Sequence, residues 1–479
     1  MPYNHNDLNG TTVLVMGLGR FGGGLDAAQF AAQAGAKVIV TDLASPEKLA
    51  HSVMELGTHS NIEFHLGSHE EEDFRTSDIV IANPAVPGNN RFLQVARDAG
   101  KHVTSQINIF FELCPAKIIG ITGANGKSTT TALSAHLLRT QNAERRAQYE
   151  HVWLSGNIGN QPLLTILDRI KPDDLVVLEL SSFQIEQLAE FERSSDIALL
   201  TNLTPNHLDR YGTFEKYCDT KEYIFKYQKL DENNPAISIF NAEDKIACEW
   251  YEKYKEKKGR ICIKFSADNV TDEIRECYKL PGHANLSNLA AALAIIRNFG
   301  VTDESTKKSL PDFKALPHRL ELIEDKNGVQ WYNDSKATTP EGAITALDAF
   351  DRPIILIAGG YDKRLPFDKL AEKIINKAKA AILIGQTAPK IAETINNAYM
   401  SLRGVPLGRH GNLQNQPVMM QRKTKVEIVK SLSDAVHLAH EFTKPGDVVL
   451  LSPACASYDM FENYEQRGQQ FTERVKSLI

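Results

Sequence analysis

The sequence has no excess of positive charge: 54 Lys and Arg stand against 60 Asp and Glu, a net charge of −6 over 479 residues. General nucleic-acid binding and adhesion to an anionic membrane both need a basic face, so this balance argues against both. Apolar runs are short, and none approaches the roughly 20 consecutive apolar residues of a membrane span. The opening Met1-Pro2-Tyr3-Asn4-His5-Asn6-Asp7 has neither the basic nor the apolar region of a signal peptide. Cysteine is scarce: six, at 114, 218, 248, 262, 277 and 455, with no CxxC and no finger-like spacing. That sets aside a zinc or disulfide framework and fits reduced cytosolic thiols. There is no internal repeat, no low-complexity tract, and no coiled-coil pattern that would call for an oligomer, so a monomer is expected. What remains is 42% hydrophobic and 24% charged residues, the balance of a globular protein. At roughly 100–200 residues per domain the length suits three domains.

Three blocks emerge, each opening with a strand-like run that feeds a glycine turn. The first is Thr12-Val13-Leu14-Val15-Met16-Gly17-Leu18-Gly19, then an alanine-rich helical stretch (Leu25 to Ala34) and a second strand from Lys37 to Asp42. Strand, turn, helix and strand within about thirty residues form one βαβ unit. A second block starts near Lys117-Ile118-Ile119-Gly120-Ile121, with later strands at Leu175–Leu178 and Ile197–Leu200. A third follows Leu316-Pro317-His318-Arg319, with strands at 353–357, 380–384 and 447–451. The expected architecture is α/β: a Rossmann-like domain over 1–105, a P-loop ATPase-like domain with a mostly parallel sheet over 106–315, and a Rossmann-like domain over 316–479. The charged run from Glu252 to Arg260 mixes both signs and reads as a solvated helix face.

The sharpest local signal is Thr122-Gly123-Ala124-Asn125-Gly126-Lys127-Ser128-Thr129, after a strand and before a helix. Glycines let backbone N–H groups close around phosphate oxygens, and the helix N-terminus favours negative charge. Lys127 is placed to neutralise phosphates and Ser128 to ligate Mg²⁺. Ile121 stands where the usual pattern has glycine, so the loop is a shortened variant. Glu179, just past a buried strand, lies on the edge where α/β sheets bind ligands, and with Ser128 offers hard oxygens to Mg²⁺. His207 and Lys221 are less telling: a lone histidine is more often structural, and an ammonium cannot ligate a metal. Gly17-x-Gly19-x-x-Gly22 with Asp42 matches a dinucleotide fingerprint, which keeps an oxidoreductase reading open. In the last block, Asn333-Asp334-Ser335-Lys336-Ala337-Thr338, Lys363 and Ser452 through Gly468 place polar residues at three strand ends, and two lysines there suit a carboxylate ligand. Cys455, among small neighbours and without an obvious histidine, reads as a packed thiol.

Taken together these residues resemble the Mur ligases, the ATP-dependent enzymes that build the peptide of bacterial cell wall. Gly123 to Thr129, Ser155-Gly156-Asn157-Ile158-Gly159, Pro317-His318-Arg319 and Asn333 to Thr338 carry the likeness across nearly the whole chain. Leu178-Glu179-Leu180-Ser181-Ser182-Phe183-Gln184 and Ser452 to Gly468 look like the D-glutamate-adding branch. The resemblance implies addition of D-glutamate to UDP-N-acetylmuramoyl-L-alanine through an acyl phosphate, in the cytoplasm, with ATP and two Mg²⁺ ions. L-Glutamate or another amino acid is the alternative specificity. It implies that Gly17, Gly19 and Asp42 bind the UDP part and Asn157 the muramoyl part. Gly123, Ala124, Asn125, Gly126, Lys127, Ser128, Thr129, Asn285, Asn288, Arg319 and Asp334 would contact ATP. Ser128 and Glu179 would hold one Mg²⁺; His207 and a carbamylated Lys221 would hold the other. Lys336, Thr338, Lys363, Ser457 and Tyr464 would form the D-glutamate pocket. Departures from the family pattern are Phe21 for a small residue, Asn83-Pro84-Ala85 for Ser-Pro-Gly, and Tyr464 for phenylalanine. Among the alternatives, an oxidoreductase explains only the first fifty residues, and a non-catalytic relative predicts losses at Lys127, Glu179, His207 or Lys221 that are not seen.

Overall fold

β-Branched and aliphatic runs with no polar alternation are the signature of strands buried on both faces, and the chain has many. The computed structural model describes residues 8–19, 22–143, 149–158, 162–402 and 424–478. The chain start and the motif positions Phe21 and Gly159 lie outside the described residues. Five strands, β1 (Thr12–Met16), β2 (Lys37–Asp42), β3 (Ile62–Leu66), β4 (Ile79–Ala82) and β5 (His102–Thr104), form a parallel sheet in the order β3-β2-β1-β4-β5. Six more, β6 (Lys117–Thr122), β7 (Val152–Gly156), β8 (Leu175–Glu179), β9 (Ile197–Leu200), β10 (Ala236–Asn241) and β11 (Arg260–Phe265), form a second parallel sheet, β11-β10-β9-β6-β8-β7. The third sheet is β12-β13-β17-β14-β15-β16, from β12 (Glu321–Lys326), β13 (Val329–Asn333), β14 (Ile354–Ala358), β15 (Ala378–Leu383), β16 (Lys425–Ile428) and β17 (Val448–Leu451). It is mixed: β12 runs antiparallel to β13 at its edge. Asn327 and Gly328, both at positive φ (56° and 75°), make the tight hairpin between them. The chain is therefore a three-domain α/β protein.

By contact it divides into two units, Met1–Cys277 with Ser287–Pro311 and Tyr278–Leu286 with Asp312–Ile479. The first unit contains both parallel sheets, and one continuous apolar cluster runs through it, from Val13, Phe30 and Val38 to Ile118, Val176 and Phe225. In the central sheet the parallel register sets Ile121 and Gly156 opposite Glu179, and Thr122 opposite Leu200. The residues that end β6, β7 and β8 (Thr122, Gly156 and Glu179) therefore emerge along one sheet edge, where such folds bind ligands. The charged run corrects one expectation. The helix Lys245–Tyr254 ends at its third residue, and Arg260 opens β11 as a buried residue. Its guanidinium donates to Gln228 Oε1 (3.2 Å), Ser238 Oγ (2.8 Å) and the Phe225 carbonyl (2.7 Å). Hydrogen bonds formed far along the chain, invisible in a local charge pattern, offset its desolvation.

Candidate active site

The loop between β6 and the helix Lys127–Ala143 is held from below by the segment after β9. Ala124 N–H donates to the Asn202 carbonyl (2.8 Å), Asn125 N–H to Asn202 Oδ1 (3.0 Å), and Thr201 Oγ1 to the Asn125 carbonyl (2.6 Å). Gly123 and Gly126 turn at φ 145° and 83°, and a Cβ would overlap Thr201 Oγ1 at the first and Asn288 Oδ1 at the second. Only glycine meets both the conformation and the space. Lys127 Nζ donates to the carbonyls of Gly123 and Ala124, 3.0 Å each, so its charge sits over the loop. Thr129 is buried in the first turns of the helix. Ser128 Oγ donates to Glu179 Oε2, and Asn157 Nδ2 donates to Glu179 Oε1 at 3.2 Å. Glu179 is itself buried. A hydroxyl and a carboxylate in contact at the mouth of this glycine loop are hard oxygen donors, which fit Mg²⁺.

Lys221 lies on the helix Phe214–Lys226 and is buried, 1% exposed. Its Nζ donates to Thr122 Oγ1 (3.0 Å) and lies 5.1 Å from the Tyr217 ring centre. Burial, reinforced by the charge of Lys127, depresses its pKa well below 10.5. His207 caps the helix Leu208–Tyr211 with a left-handed backbone (φ 51°), its ring 5.0 Å from Phe183. Burial lowers its pKa, and the nearby charges of Lys221 and Lys127 push the same way. A neutral imidazole keeps a lone pair for a ligand. Lys127, Ser128, Asn157, Glu179, His207, Lys221 and Asn288 thus belong to one neighbourhood of the first unit.

The N-terminal turn is a separate feature of the same unit. Gly19 N–H donates to Asp42 Oδ2 (3.2 Å), and Ala44 N–H to Asp42 Oδ1 (2.8 Å). Asn83 Nδ2 donates to the Gly17 carbonyl at 3.2 Å. Asp42 therefore shapes the loops at the end of β2 as well as facing the edge.

In the second unit, Asn285 donates to the Pro281 carbonyl (2.8 Å). Asp334 follows β13, accepting from Ser452 Oγ (2.8 Å) and Leu320 N–H (3.1 Å). Desolvation pushes its pKa up to about 7, opposed by those hydrogen bonds and by the charge of Arg319. Arg319 sits between His318 and Leu320, both at positive φ (62° and 47°). The Lys336 ammonium lies 4.9 Å from the Tyr464 ring centre, and Thr338 N–H donates to the Lys336 carbonyl (2.9 Å). Ser457 is buried; Lys363 is exposed. Gly359 and Tyr361 donate N–H groups to Pro453 (2.8 Å) and Ala456 (2.9 Å), knitting the loop that carries Lys363 to the one that carries Ser457. Cys455 is buried, and desolvation raises its thiol to about 11, the packed residue expected.

Some participants carried no local signal of the part the fold gives them. Thr122 holds Lys221, Asn202 cradles the glycine loop, and Arg467 is fully buried, donating to Ser335 Oγ (2.9 Å), the Ser335 carbonyl (2.7 Å) and the Cys455 carbonyl (3.1 Å). Arg467 stands in a motif already noted, yet only the tertiary contacts show that it clamps the loops of Lys336 and Ser457.

Three family models match the chain: "Mur ligase MurD-like, N-terminal domain" over residues 11–105, "Mur ligase middle domain" over 121–278, and "Mur ligase, glutamate ligase domain" over 318–455. A protein of Roseiflexus sp. (strain RS-1) named UDP-N-acetylmuramoylalanine–D-glutamate ligase is 38% identical over 98% of this chain and 99% of its own. One of the same name from Clostridium tetani is 35% identical over 97% and 96%. Among solved structures, the UDP-N-acetylmuramate-alanine ligase MurC of Thermotoga maritima aligns with a TM-score of 0.57 at 18% identity, covering 98% of this chain and 100% of that one. The MurF ligase of the same organism, in complex with ADP, gives 0.54 at 18%, covering 99% and 97%. These structures share the fold.

Proposed function

The chain belongs to the Mur ligase family, and from that premise we propose that it joins D-glutamate to UDP-N-acetylmuramoyl-L-alanine, driven by ATP, in the synthesis of peptidoglycan precursor. The observation that carries this reading is the likeness, at 38% and 35% identity over nearly the whole chain, to proteins of that name. We assign residues 1–105 to the UDP part of the acceptor, 106–315 to ATP and 316–479 to the incoming amino acid. The enzyme works as a monomer in the bacterial cytoplasm; among the described residues no helix is long and apolar enough to cross a membrane.

The chemistry follows from charge. The acceptor carboxylate attacks the γ-phosphorus of ATP, forming a C–O–P bond and releasing ADP. The uncharged amine of D-glutamate then attacks the acyl carbon, and the tetrahedral adduct expels phosphate and leaves an amide. Two anions must meet in the first step, so cationic groups that spread charge in the transition state matter most. Lys127, over the phosphate loop, and Arg319 serve that purpose. Mg²⁺, when bound, supplies further charge neutralisation and orients the phosphates. Ser128 and Glu179 would hold one ion. His207 would hold a second together with Lys221, whose depressed pKa leaves a nucleophilic amine that would add CO₂ and release a proton to give a carbamate, an oxygen ligand. Gly123 to Thr129, Asn285, Asn288 and Asp334 bind ATP; Gly17, Gly19, Asp42 and Asn157 bind the acceptor. Lys336, Thr338, Lys363, Ser457 and Tyr464 receive D-glutamate, with Lys336 and Lys363 facing its carboxylates.

The deciding experiment is phosphate release from ATP in the presence of UDP-N-acetylmuramoyl-L-alanine, comparing D-glutamate with L-glutamate. Release that needs the D isomer is expected. Release with only L-glutamate, or another amino acid, would leave the ligase chemistry and overturn the pocket assignment.

A further inference from the structure

A carboxylate in the first turn of a helix ordinarily serves that helix's own N-terminus. Asp26, in the first turn of the helix Gly23–Gln33 that follows the N-terminal glycine turn, is spent elsewhere. It is 5% exposed and accepts hydrogen bonds from outside its helix. Three come from consecutive backbone N–H groups, Leu163 (3.0 Å), Leu164 (2.7 Å) and Thr165 (3.0 Å). Two more come from Thr165 Oγ1 (2.7 Å) and Gln106 Nε2 (2.6 Å). Successive N–H groups converging on one anion make a strong, directional clasp, and in a dry site each charge-assisted bond counts for more than at the surface.

The clasped segment is the continuation of the strand end that carries Asn157. Ser155 Oγ donates to the Pro162 carbonyl (2.6 Å), and Asn157 N–H donates to the Glu179 carbonyl (2.9 Å). Leu163 and Leu164 are buried in the same apolar cluster as Ala27, Phe30 and Ala31 of the Asp26 helix. Polar clasp and apolar packing thus join the same two elements: the helix behind Gly17 and Gly19, and the segment beyond Asn157. Nothing local in the sequence marks Asp26 for this, because its partners lie 80 to 139 residues away.

We infer that Asp26 is a positioning residue for the acceptor: it registers the Asn157 strand end against the N-terminal glycine turn, so that the nucleotide and muramoyl contacts are presented as one preorganised surface. The inference rests on the acceptor assignment above. Without the clasp the two contact sets must be brought into register when the ligand binds, and that ordering weakens binding. Asp26→Asn keeps the shape but turns an amide N–H toward backbone donors; Thr165→Val removes one donor and leaves the fold intact.

The test measures KM for each substrate with kcat, alongside calorimetric binding of UDP and thermal melting. In Asp26→Asn the acceptor KM should rise about tenfold or more, with the KM values for ATP and D-glutamate and kcat within about twofold, since lost preorganisation acts on the ligand that uses it. Thr165→Val should move the same constant by a smaller factor and stands alone if Asp26→Asn does not fold. UDP affinity should fall in parallel. An unchanged acceptor KM in both variants overturns the inference, as does a uniform change in all three KM values, which is what mere loosening of the fold would give. Wild type that binds UDP but releases no phosphate with any amino acid overturns the ligase reading alone, and the UDP affinities of the variants still decide the role of Asp26.

Discussion

Lys221 illustrates how far burial changes what a side chain can do. An amine in this position is disfavoured as a cation by desolvation and by Lys127, so its pKa is depressed in the folded chain and ordinary, near 10.5, in the unfolded one. The unfolded chain therefore binds the proton more readily, and stability contributed by this site rises with pH. In CO₂-depleted buffer, Lys221→Met should melt higher than wild type at pH 7, and the gap should close as pH approaches 10.5. Thr122 Oγ1 would still donate to the Leu180 carbonyl (2.8 Å), so no buried hydroxyl is orphaned. The same variant should lose activity. A lower melting temperature at pH 7 would sink the picture of a desolvated amine. For Lys127, replacement by Ala should cut kcat by a factor of about 10² or more, the scale of removing a group aimed at developing phosphate charge, while melting changes little; retained turnover would sink its assigned role.

At the scale of elements, the site depends on how strands end and helices begin. The helix Ser182–Ala189, which starts three residues after Glu179, opens with a reciprocal cap: Ser181 Oγ accepts from Gln184 N–H (3.2 Å), and Gln184 Oε1 accepts from Ser181 N–H (2.9 Å). That motif was present in the sequence as Ser181-Ser182-Phe183-Gln184, the pattern of a capping box. Ser181→Ala should destabilise the chain by about 1 kcal/mol in urea unfolding, the usual loss for such a cap. No change in stability would show that tertiary packing alone fixes the start of this helix. The hairpin at Asn327-Gly328 teaches the complementary lesson. The dipeptide is a strong local turn signal, yet whether its two strands join a parallel sheet as an antiparallel edge depends on β17, whose residues Val448–Leu451 pair with β13 from more than a hundred positions away.

For the whole molecule, the first unit is tied together by contacts between its two sheets' connecting elements. Arg210 donates to the Ala85 carbonyl (3.0 Å) and to Glu186 (2.9 Å), and Gln187 donates to the Ala82 carbonyl (3.2 Å). With the Asp26 clasp, these bonds join the N-terminal and central domains around the proposed acceptor face. A ligand that binds the folded state alone stabilises it by mass action, about 2.7 kcal/mol at a hundred times its Kd. UDP at that excess should raise the melting temperature of the chain by a few degrees in calorimetry. Absence of any shift would remove the UDP role from residues 1–105.

The sequence by itself determined the three α/β domains, the glycine loop that carries Lys127 and Ser128, and the place of Glu179 at a buried strand end beside it. Each is a local pattern, a buried β-branched run, a glycine turn or a polar residue at a strand end, whose physics acts over a few neighbouring residues. Only the tertiary structure decided that Lys221 is buried against Thr122, that Arg260 leaves the charged run for the interior, that Arg467 ties Ser335 to Cys455 and that Asp26 faces Leu163 to Thr165. Those outcomes depend on desolvation and on hydrogen bonds between segments far apart in the chain. Such terms exist only once the sheets have brought the partners within about 3 Å of each other.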